Sequence, residues 1–199
     1  MKKILIVVLS MVLFAFTSDT EKRIAIVETV SDVPVFFFSK PVAEYDVIGK
    51  AMSFSDMLKM ASDQKSSVRQ KAEKIVEIAQ KRVENGKITA FDALIIELEN
   101  DKVLAIKFKS EISKKAKIDN YDDVPVYFFC EPDDEYKLVK KLDADFSLRA
   151  KNGGSLYDKI NSMVKRTLKK RKDLELDNFD GIIINPDDLS EKLINFKKI

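Results

Sequence analysis

The residues best suited to chemistry are two aspartates in matching contexts. Asp92 and Asp180 each follow a Phe and precede a run of apolar residues. Two such carboxylates could act as general acid and general base, as in enzymes that hydrolyse polysaccharides. Each also lies where the chain enters a predicted strand, and aspartates there often bond local backbone amides. We expect a structural role for both and keep a carboxylate-dependent enzyme acting on envelope polysaccharide as an alternative.

Two Glu-Tyr pairs are the candidates for binding a ligand or a partner. Glu44-Tyr45 and Glu135-Tyr136 each follow a proline turn and begin a predicted strand. A tyrosine at this place could line a recognition groove, or it could close the edge of the sheet over the core. Both interpretations stay open on the sequence alone.

A basic run is the candidate for contact with an anionic surface. It contains Lys165, Arg166, Lys169, Lys170, Arg171 and Lys172. These cations could contact anionic glycolipid or phospholipid of the cell envelope. They also suit the end of a helix, where the helix dipole favours positive charge. Binding to an anionic surface is therefore a second alternative function.

The residue types that bind metals or act as nucleophiles in catalysis are scarce in this chain. The chain has no histidine, which removes Ser-His-Asp and Cys-His catalysis and most zinc or copper sites. Cys130 is the only cysteine, so it has no thiol partner for a disulfide or a soft metal, and we expect it to be buried beside a strand. Acidic stretches at 122–123, 133–135 and 185–188 lack EF-hand spacing and are predicted turns. We expect no catalytic residue, no metal and no cofactor.

The start of the chain is typical of an export signal. Lys2 and Lys3 precede an almost unbroken apolar run at residues 4–16, shorter than the roughly 20 residues of a membrane-spanning helix. We predict a cleaved signal peptide at residues 1–18, with an uncleaved anchor as the alternative. The protein would then be periplasmic or secreted, and not an integral membrane protein after cleavage.

The charge balance gives no general attraction to nucleic acid. The chain has 35 Lys and Arg against 33 Asp and Glu, and Lys2 and Lys3 are the only charges in residues 1–18. The remaining chain is therefore close to neutral, and we expect no nucleic-acid partner.

Two blocks of sequence recur in the same order, which predicts an internal repeat. Residues 31–49 and 122–140 are identical at nine of nineteen positions, and residues 91–96 resemble 179–184. The recurrence predicts two tandem domains, at residues 31–110 and 122–199, joined by a polar linker at 111–121.

Each predicted domain has the order β-β-α-β-β. Short aromatic and β-branched runs such as residues 33–38 indicate buried strands. Apolar residues at steps of three and four predict one helix in each domain, from Val68 in the first and Leu156 in the second. The predicted fold class is α+β, with each domain a four-stranded antiparallel or mixed sheet covered on one face by one helix.

Both predicted domains resemble the YbjQ-like group, a family of small α+β domains in exported bacterial proteins often described as heavy-metal-binding. The resemblance rests on Pro41 with the run at residues 44–49, and on residues 91–96. The second domain departs from it in having Lys140 where the first has Gly49. It implies the fold and the exported location, but the metal function lacks ligands here because there is no histidine or second thiol.

By elimination, the sequence favours a non-enzymatic binding or scaffold module of the cell envelope. The expected partner is an envelope protein or glycan, bound in the cleft between the domains or at an exposed sheet edge.

Overall fold

A computed structural model describes residues 23–52, 66–97, 102–118, 120–144 and 156–197. The signal peptide predicted at residues 1–18 lies outside them. Within these ranges the chain is mixed α+β, with two helices and three sheets, which confirms the predicted class at that level. No helix in the same ranges is long and apolar enough to cross a membrane.

The chain order of elements is the same in its two halves. The first half contains β1 (Ile24–Val27), β2 (Thr29–Val30), β3 (Val33–Phe37), β4 (Ser39–Pro41), β5 (Tyr45–Lys50), α1 (Val68–Glu84), β6 (Ala93–Glu97) and β7 (Lys102–Phe108). The second half contains β8 (Lys115–Ile118), β9 (Asn120–Tyr121), β10 (Val124–Phe128), β11 (Cys130–Pro132), β12 (Tyr136–Leu142), α2 (Leu156–Lys172), β13 (Gly181–Ile184) and β14 (Glu191–Phe196).

Each half contributes one five-stranded mixed sheet. The strand orders are β2-β3-β6-β7-β5 and β9-β10-β13-β14-β12. In each sheet one pair of neighbouring strands is parallel. This pair is β3 with β6, where Val35 lies opposite Leu94, and β10 with β13, where Val126 lies opposite Ile182. The other pairs are antiparallel. Each sheet has five strands rather than the four predicted, and the short strands β2 and β9 were not expected from sequence.

Two-residue turns explain the additional strands. Ser31-Asp32 and Asp122-Asp123 all have positive φ values, between 45° and 65°. Two consecutive residues of this kind form the hairpin turn whose twist matches that of the flanking strands. The chain before β3 and β10 is thereby folded back against each strand, which gives β2 and β9.

The outer strands keep one register in both halves. Tyr45 lies opposite Phe108 and Tyr136 opposite Phe196, and each pair of strands then has a bulge, ending before Gly49 and Lys140 respectively. The bulge re-aims the strand and increases its local twist. Lys140 takes the same register position as Gly49, although only Gly49 has a positive φ.

The third sheet, here called the clasp sheet, joins the halves. Its order is β11-β1-β8-β4, and all its pairs are antiparallel. At its centre Ala25 of β1 faces Ala116 of β8, while Ala25 also faces Pro132 and Ala116 faces Pro41. Each half therefore gives its first strand to a partner strand of the other half.

The clasp sheet corrects the prediction of a polar linker at residues 111–121. Strand β8 alternates exposed lysines with the buried residues Ala116 and Ile118. This period of two places one apolar face on the core, although the segment is rich in lysine overall. Strand β1 alternates in the same way, with Ala25 and Val27 buried.

Two cores lie on opposite faces of the five-stranded sheets. The clasp-side core, under the clasp sheet, includes Ala25, Ala116, Phe36 and Tyr127. The helix-side core, under α1 and α2, includes Val35, Ile96, Ile160 and Ile184, together with the aromatic residues Phe37, Phe128 and Phe129. Both cores draw residues from both halves, so the halves share their buried interior.

The phenylalanines at the centre of the helix-side core link the halves directly. The ring of Phe128 lies 5.5 Å from that of Phe37 and 5.7 Å from that of Phe38, while Phe37 and Phe129 are 4.7 Å apart. Phe38 and Phe129 hold φ values of +49° and +61°, which are costly for a bulky side chain. Their packing across the halves offsets that cost.

Helix α1 has local signals at both ends. The Ser67 hydroxyl accepts from the Gln70 amide at 3.2 Å and the Gln70 side chain accepts from the Ser67 amide at 2.9 Å, which is a capping box. Val68, Ala72 and Ile75 place one face on the core. The helix ends at Glu84, and Gly86 just beyond it has the positive φ that is common after a helix end.

Tyr127 carries a hydroxyl group that the fold does not use. The residue is fully buried, and its hydroxyl has no hydrogen-bond partner among the described residues. The corresponding residue of β3 is Phe36, which occupies the same core without a hydroxyl. We expect Tyr127→Phe to raise the free energy of unfolding by about 1 kcal/mol, because a buried polar group without a partner is costly. Urea denaturation followed by circular dichroism measures the change.

Tyr136→Phe is the matched control for that prediction. The Tyr136 hydroxyl donates to the Glu131 carboxylate at 2.8 Å, so its removal should cost about 0.5–1.5 kcal/mol. Equal effects of both substitutions would contradict the assignment of Tyr127 as the unpartnered group.

Candidate functional site

The two predicted Glu-Tyr pairs occupy matching places at the start of the outer strands. Tyr45 begins β5 and Tyr136 begins β12, and both rings pack, half-buried, against the clasp-side core. The Tyr136 hydroxyl bonds Glu131, and burial together with this bond raises the pKa of Tyr136 to about 12. Much of each ring therefore covers the core rather than lining an open groove.

The glutamates of these pairs bind lysines at the ends of the last strands. The Glu135 carboxylate accepts from the Lys197 ammonium at 2.6 Å, and Glu44 lies 3.6 Å from Lys109. The bond to Lys197 lowers the pKa of Glu135. These exposed ion pairs lie at one end of the strand pairs β5–β7 and β12–β14, and they bring no tyrosine of one half to a glutamate of the other.

The candidate catalytic aspartates bind the backbone. The Asp92 carboxylate accepts from the Phe108 amide at 2.9 Å, and the Asp180 carboxylate accepts from the Phe196 amide at 3.1 Å. The amides of the same aspartates donate to Ile106 and Ile194 at 2.8 Å. Each aspartate thus ties the entry of one strand to the end of the next, in agreement with the expected structural role.

The basic run divides into engaged and exposed residues. Arg171 donates to the Phe179 carbonyl at 3.1 Å and lies over the Phe179 ring, and Lys172 pairs with Asp122 at 3.0 Å. Arg166 and Lys170 act electrostatically on Glu191. Lys165 and Lys169 are exposed on α2. The run therefore offers fewer free cations to a surface than its sequence suggests.

The acidic stretches serve turns and ion pairs. Asp133 pairs with Lys115 at 2.9 Å and Asp134 with Arg23 at 2.8 Å. Asp188 accepts from the Ser190 amide, and the Asn185 side chain accepts from the Asp187 amide. Within the described ranges, no group of three or more acidic or cysteine side chains could hold a metal ion.

Cys130 is buried as predicted, in strand β11 of the clasp sheet. Burial raises the pKa of its thiol to about 12. The thiol is therefore protonated and shielded in the folded protein, which disfavours nucleophilic chemistry.

Helix α1 and the β2–β3 turn line a polar groove of about 530 Å³. Arg69 lines this groove. Its guanidinium forms ion pairs with Glu28 at 2.6 Å and with Asp187 at 3.0 Å, and lies over the Phe129 ring. The bond to Glu28 is the main reason that the pKa of Arg69 is raised. Because Asp187 and Phe129 belong to the second half, Arg69 joins the halves rather than facing the groove alone.

The outer strands β5 and β12 contain no fully buried residue. The sequence allowed an exposed sheet edge as the binding surface but did not identify these strands as that edge. Each ends its sheet, with no described strand on its outer side. Val47 is 54% exposed and Leu138 is 58% exposed, at matching positions before the bulge. Lys137, Lys140 and Lys141 accompany Leu138 on β12 and are also exposed. Only the presence of three lysines among the seven residues of this strand could have signalled its accessibility.

Glu191 is a buried carboxyl group that the sequence analysis also missed. It is 5% exposed, and the Thr167 hydroxyl of α2 donates to it. Thr167 and Glu191 correspond to Ala79 and Val103 of the first half, which are both apolar residues of the helix-side core. Burial raises the pKa of Glu191, while the Thr167 bond, Arg166 and Lys170 act in the opposite direction.

The raised pKa of Glu191 gives a pH dependence of stability. In the unfolded chain the Glu191 carboxyl group loses its proton around its ordinary pKa of 4.5. In the folded chain the same group keeps its proton to a higher pH, because its pKa is raised. The contribution of Glu191 to stability therefore falls as pH rises through the window from 4.5 to its higher folded pKa, and is constant above it. We expect Glu191→Gln to remove this part of the dependence, measured by urea denaturation across that range.

The partner of Glu191 supplies a second prediction on the same pair. Thr167→Val leaves the buried carboxyl group without its hydroxyl donor and should cost about 1–3 kcal/mol. The double variant Thr167→Ala, Glu191→Val copies Ala79 and Val103 and should recover the loss. A double variant less stable than Thr167→Val would contradict this account of the pair.

Comparison of the chain with protein-family models, with curated proteins and with solved structures found no match. Function is therefore argued from the residues themselves.

Proposed function

We propose that the protein is an exported, non-enzymatic binding or scaffold module of the cell envelope. In this proposal two tandem ββαββ units of YbjQ-like type, at residues 31–110 and 122–199, follow a cleaved signal peptide at residues 1–18. The mature protein is periplasmic or secreted, and its partner is an envelope protein or glycan. The recurrence of strand order and outer-strand register at matching sequence positions supports the two-unit arrangement.

The pair of open outer strands is the observation that carries the binding function. Most of the other groups that could do chemistry have structural partners, as Asp92 and Asp180 do with backbone amides. In contrast, β5 and β12 each present an open strand edge and an exposed apolar side chain, Val47 or Leu138. Open strand edges are a common site for polypeptide recognition.

An affinity experiment tests the proposal. Residues 19–199 are immobilised and exposed to the envelope fraction of the host, and the retained material is identified by mass spectrometry. We expect a specific partner that free protein competes away. Retention of nothing, together with turnover of an envelope polysaccharide that Asp92→Asn or Asp180→Asn abolishes, would overturn the proposal in favour of the enzyme.

Binding to an anionic surface is supported as a second function by the exposure of Lys165 and Lys169 on α2. Its contacts would weaken steeply with salt, because exposed charges are screened over about 8 Å at physiological ionic strength. Retained glycan or lipid that is released by salt and lost in Lys165→Glu, Lys169→Glu would favour it. Lys74→Glu, on the exposed face of α1, is the matched control.

Export has a simple test of its own. We expect the mature protein to begin near residue 19 and to be recovered in the periplasmic or the extracellular fraction. N-terminal sequencing of the native protein checks this, and an intact Met1 on a membrane-bound form would instead indicate an uncleaved anchor.

A further inference from the structure

Strand β12 is an open edge of seven residues. It is the outermost strand in the order β12-β14-β13-β10-β9, and among the residues that the structure describes it pairs only with β14, on its inner side. The backbone amides and carbonyls along its outer side are therefore available to another strand.

The side chains of β12 make this edge basic and partly apolar. Lys137, Lys140 and Lys141 are exposed, Leu138 is 58% exposed, and the strand contains no acidic residue. Lys141 already has an acidic neighbour in Asp188. Among the described residues, Lys137 and Lys140 form no ion pair, so their charges are available to a partner.

The corresponding edge of the first half has a different chemistry. Strand β5 has the same register and bulge and a similarly exposed Val47. At the positions of the three lysines of β12, however, it carries Asp46, Gly49 and Lys50. Lysines often protect strand edges from aggregation. That need is the same for both edges, so protection alone does not explain why only β12 has three lysines.

The neighbouring helix adds positive charge beside β12. Glu191 lies opposite Leu142 at the end of β12, and Arg166 and Lys170 of α2 act electrostatically on Glu191. Ile78 stands where the second half has Arg166. Arg82 stands where the second half has Lys170, so of these two cations only Arg166 is particular to the second half.

We propose that β12 binds an extended acidic polypeptide segment, which adds to the sheet as a further strand. Carboxylates of the segment pair with Lys137 and Lys140, an apolar residue covers Leu138, and the backbone supplies the hydrogen bonds. This proposal rests on the proposed binding function and names the chemistry of its partner.

The first test uses residues 19–199 and a short fluorescein-labelled peptide in which Glu alternates with Val. We expect saturable binding by fluorescence anisotropy, weakened about tenfold or more in Lys137→Glu, Lys140→Glu, because each attraction becomes a repulsion. Lys102→Glu, Lys107→Glu makes the same charge change on β7, which is not an outer strand, and should bind as the wild type does. Circular dichroism and thermal unfolding establish that both variants are folded.

Backbone-blocked peptides separate strand addition from simple charge attraction. Two versions of the peptide carry N-methyl groups on alternate residues, one on the odd and one on the even positions, so that each lacks the amide donors of one edge. Loss of binding by at least one version supports strand addition. The proposal would be overturned if both N-methylated versions bound as tightly as the unmodified peptide. It would also be overturned if the protein bound phosphatidylglycerol vesicles but not the peptide.

The affinity experiment distinguishes failure of this proposal from failure of the binding function. If the wild type and Lys137→Glu, Lys140→Glu retain the same envelope protein, the binding function stands and the β12 site is wrong. If neither retains any partner, the binding function itself is wrong.

Discussion

Phe128→Ala is expected to lower the free energy of unfolding by about 3–5 kcal/mol and to destabilise both halves together. The ring is fully buried, belongs to the second half, and packs against Phe37 and Phe38 of the first. Its removal leaves a cavity in a core to which both helices contribute. The damage therefore cannot be confined to the half that carries the substitution.

Hydrogen exchange with mass spectrometry measures this cross-half effect. Peptides covering β6 in the first half and β13 in the second should lose protection by similar amounts. Leu174→Ala, at an 89% exposed position, is the control and should change stability by less than about 0.5 kcal/mol. Loss of protection in β13 with β6 unchanged would show that the halves unfold independently.

Ala25→Asp is expected to have an equally large effect through the clasp sheet. Ala25 is completely buried, opposite Ala116, in the core that lies under β1 and β8. A carboxylate there has no partner, and an unpaired buried charge costs about 3–5 kcal/mol or more. We expect the variant to be largely unfolded at physiological temperature, as judged by circular dichroism.

Ile24→Asp is the matched control one residue away. Ile24 lies on the opposite face of β1 and faces Lys117, so the new carboxylate gains a cross-strand partner. Such an exposed pair contributes about 0.2–1 kcal/mol, and the variant should stay folded. A similar loss of stability in both variants would contradict the assignment of Ala25 to the buried face of β1 and of Ile24 to the opposite face.

Local patterns in the sequence were sufficient for much of each half. Strands β3 and β6 are short, apolar runs, and helices α1 and α2 show regular apolar spacing, so each could be placed from a few neighbouring residues. The local role of Asp92 and Asp180 followed equally from their position before a strand.

The clasp sheet could not be predicted in the same way. The partners of β1 lie far away in sequence, and nothing in residues 24–27 indicates which strand they will meet. Strand β8 is so rich in lysine that its composition suggested a linker, although its alternation places Ala116 and Ile118 inside. Composition outweighed periodicity in that prediction, and the periodicity was correct.

The candidate site was predicted only in general terms, as an exposed sheet edge, for a related reason. The sequence singled out Tyr45 and Tyr136, but the accessible feature is the outer edge of the strands that they begin. An edge is defined by which strand has no neighbour, and this depends on strand order rather than on the strand itself. The order β12-β14-β13 became visible only with the fold.

The pairing of β1 of the first half with strands of the second half can be tested directly with the native cysteine. Val27 lies opposite Cys130 and both are buried, while Glu28 bonds Phe129 one step along. This makes Val27 and Cys130 a non-hydrogen-bonded pair, with Cα atoms about 4.5 Å apart and within disulfide range. The variants Val27→Cys and Ile26→Cys are refolded under oxidising conditions, and their free thiols are counted after denaturation. The account predicts an intramolecular disulfide in Val27→Cys and two free thiols in Ile26→Cys, whose side chain lies on the other face. Two free thiols in folded Val27→Cys, or an intramolecular disulfide in Ile26→Cys instead, would contradict it.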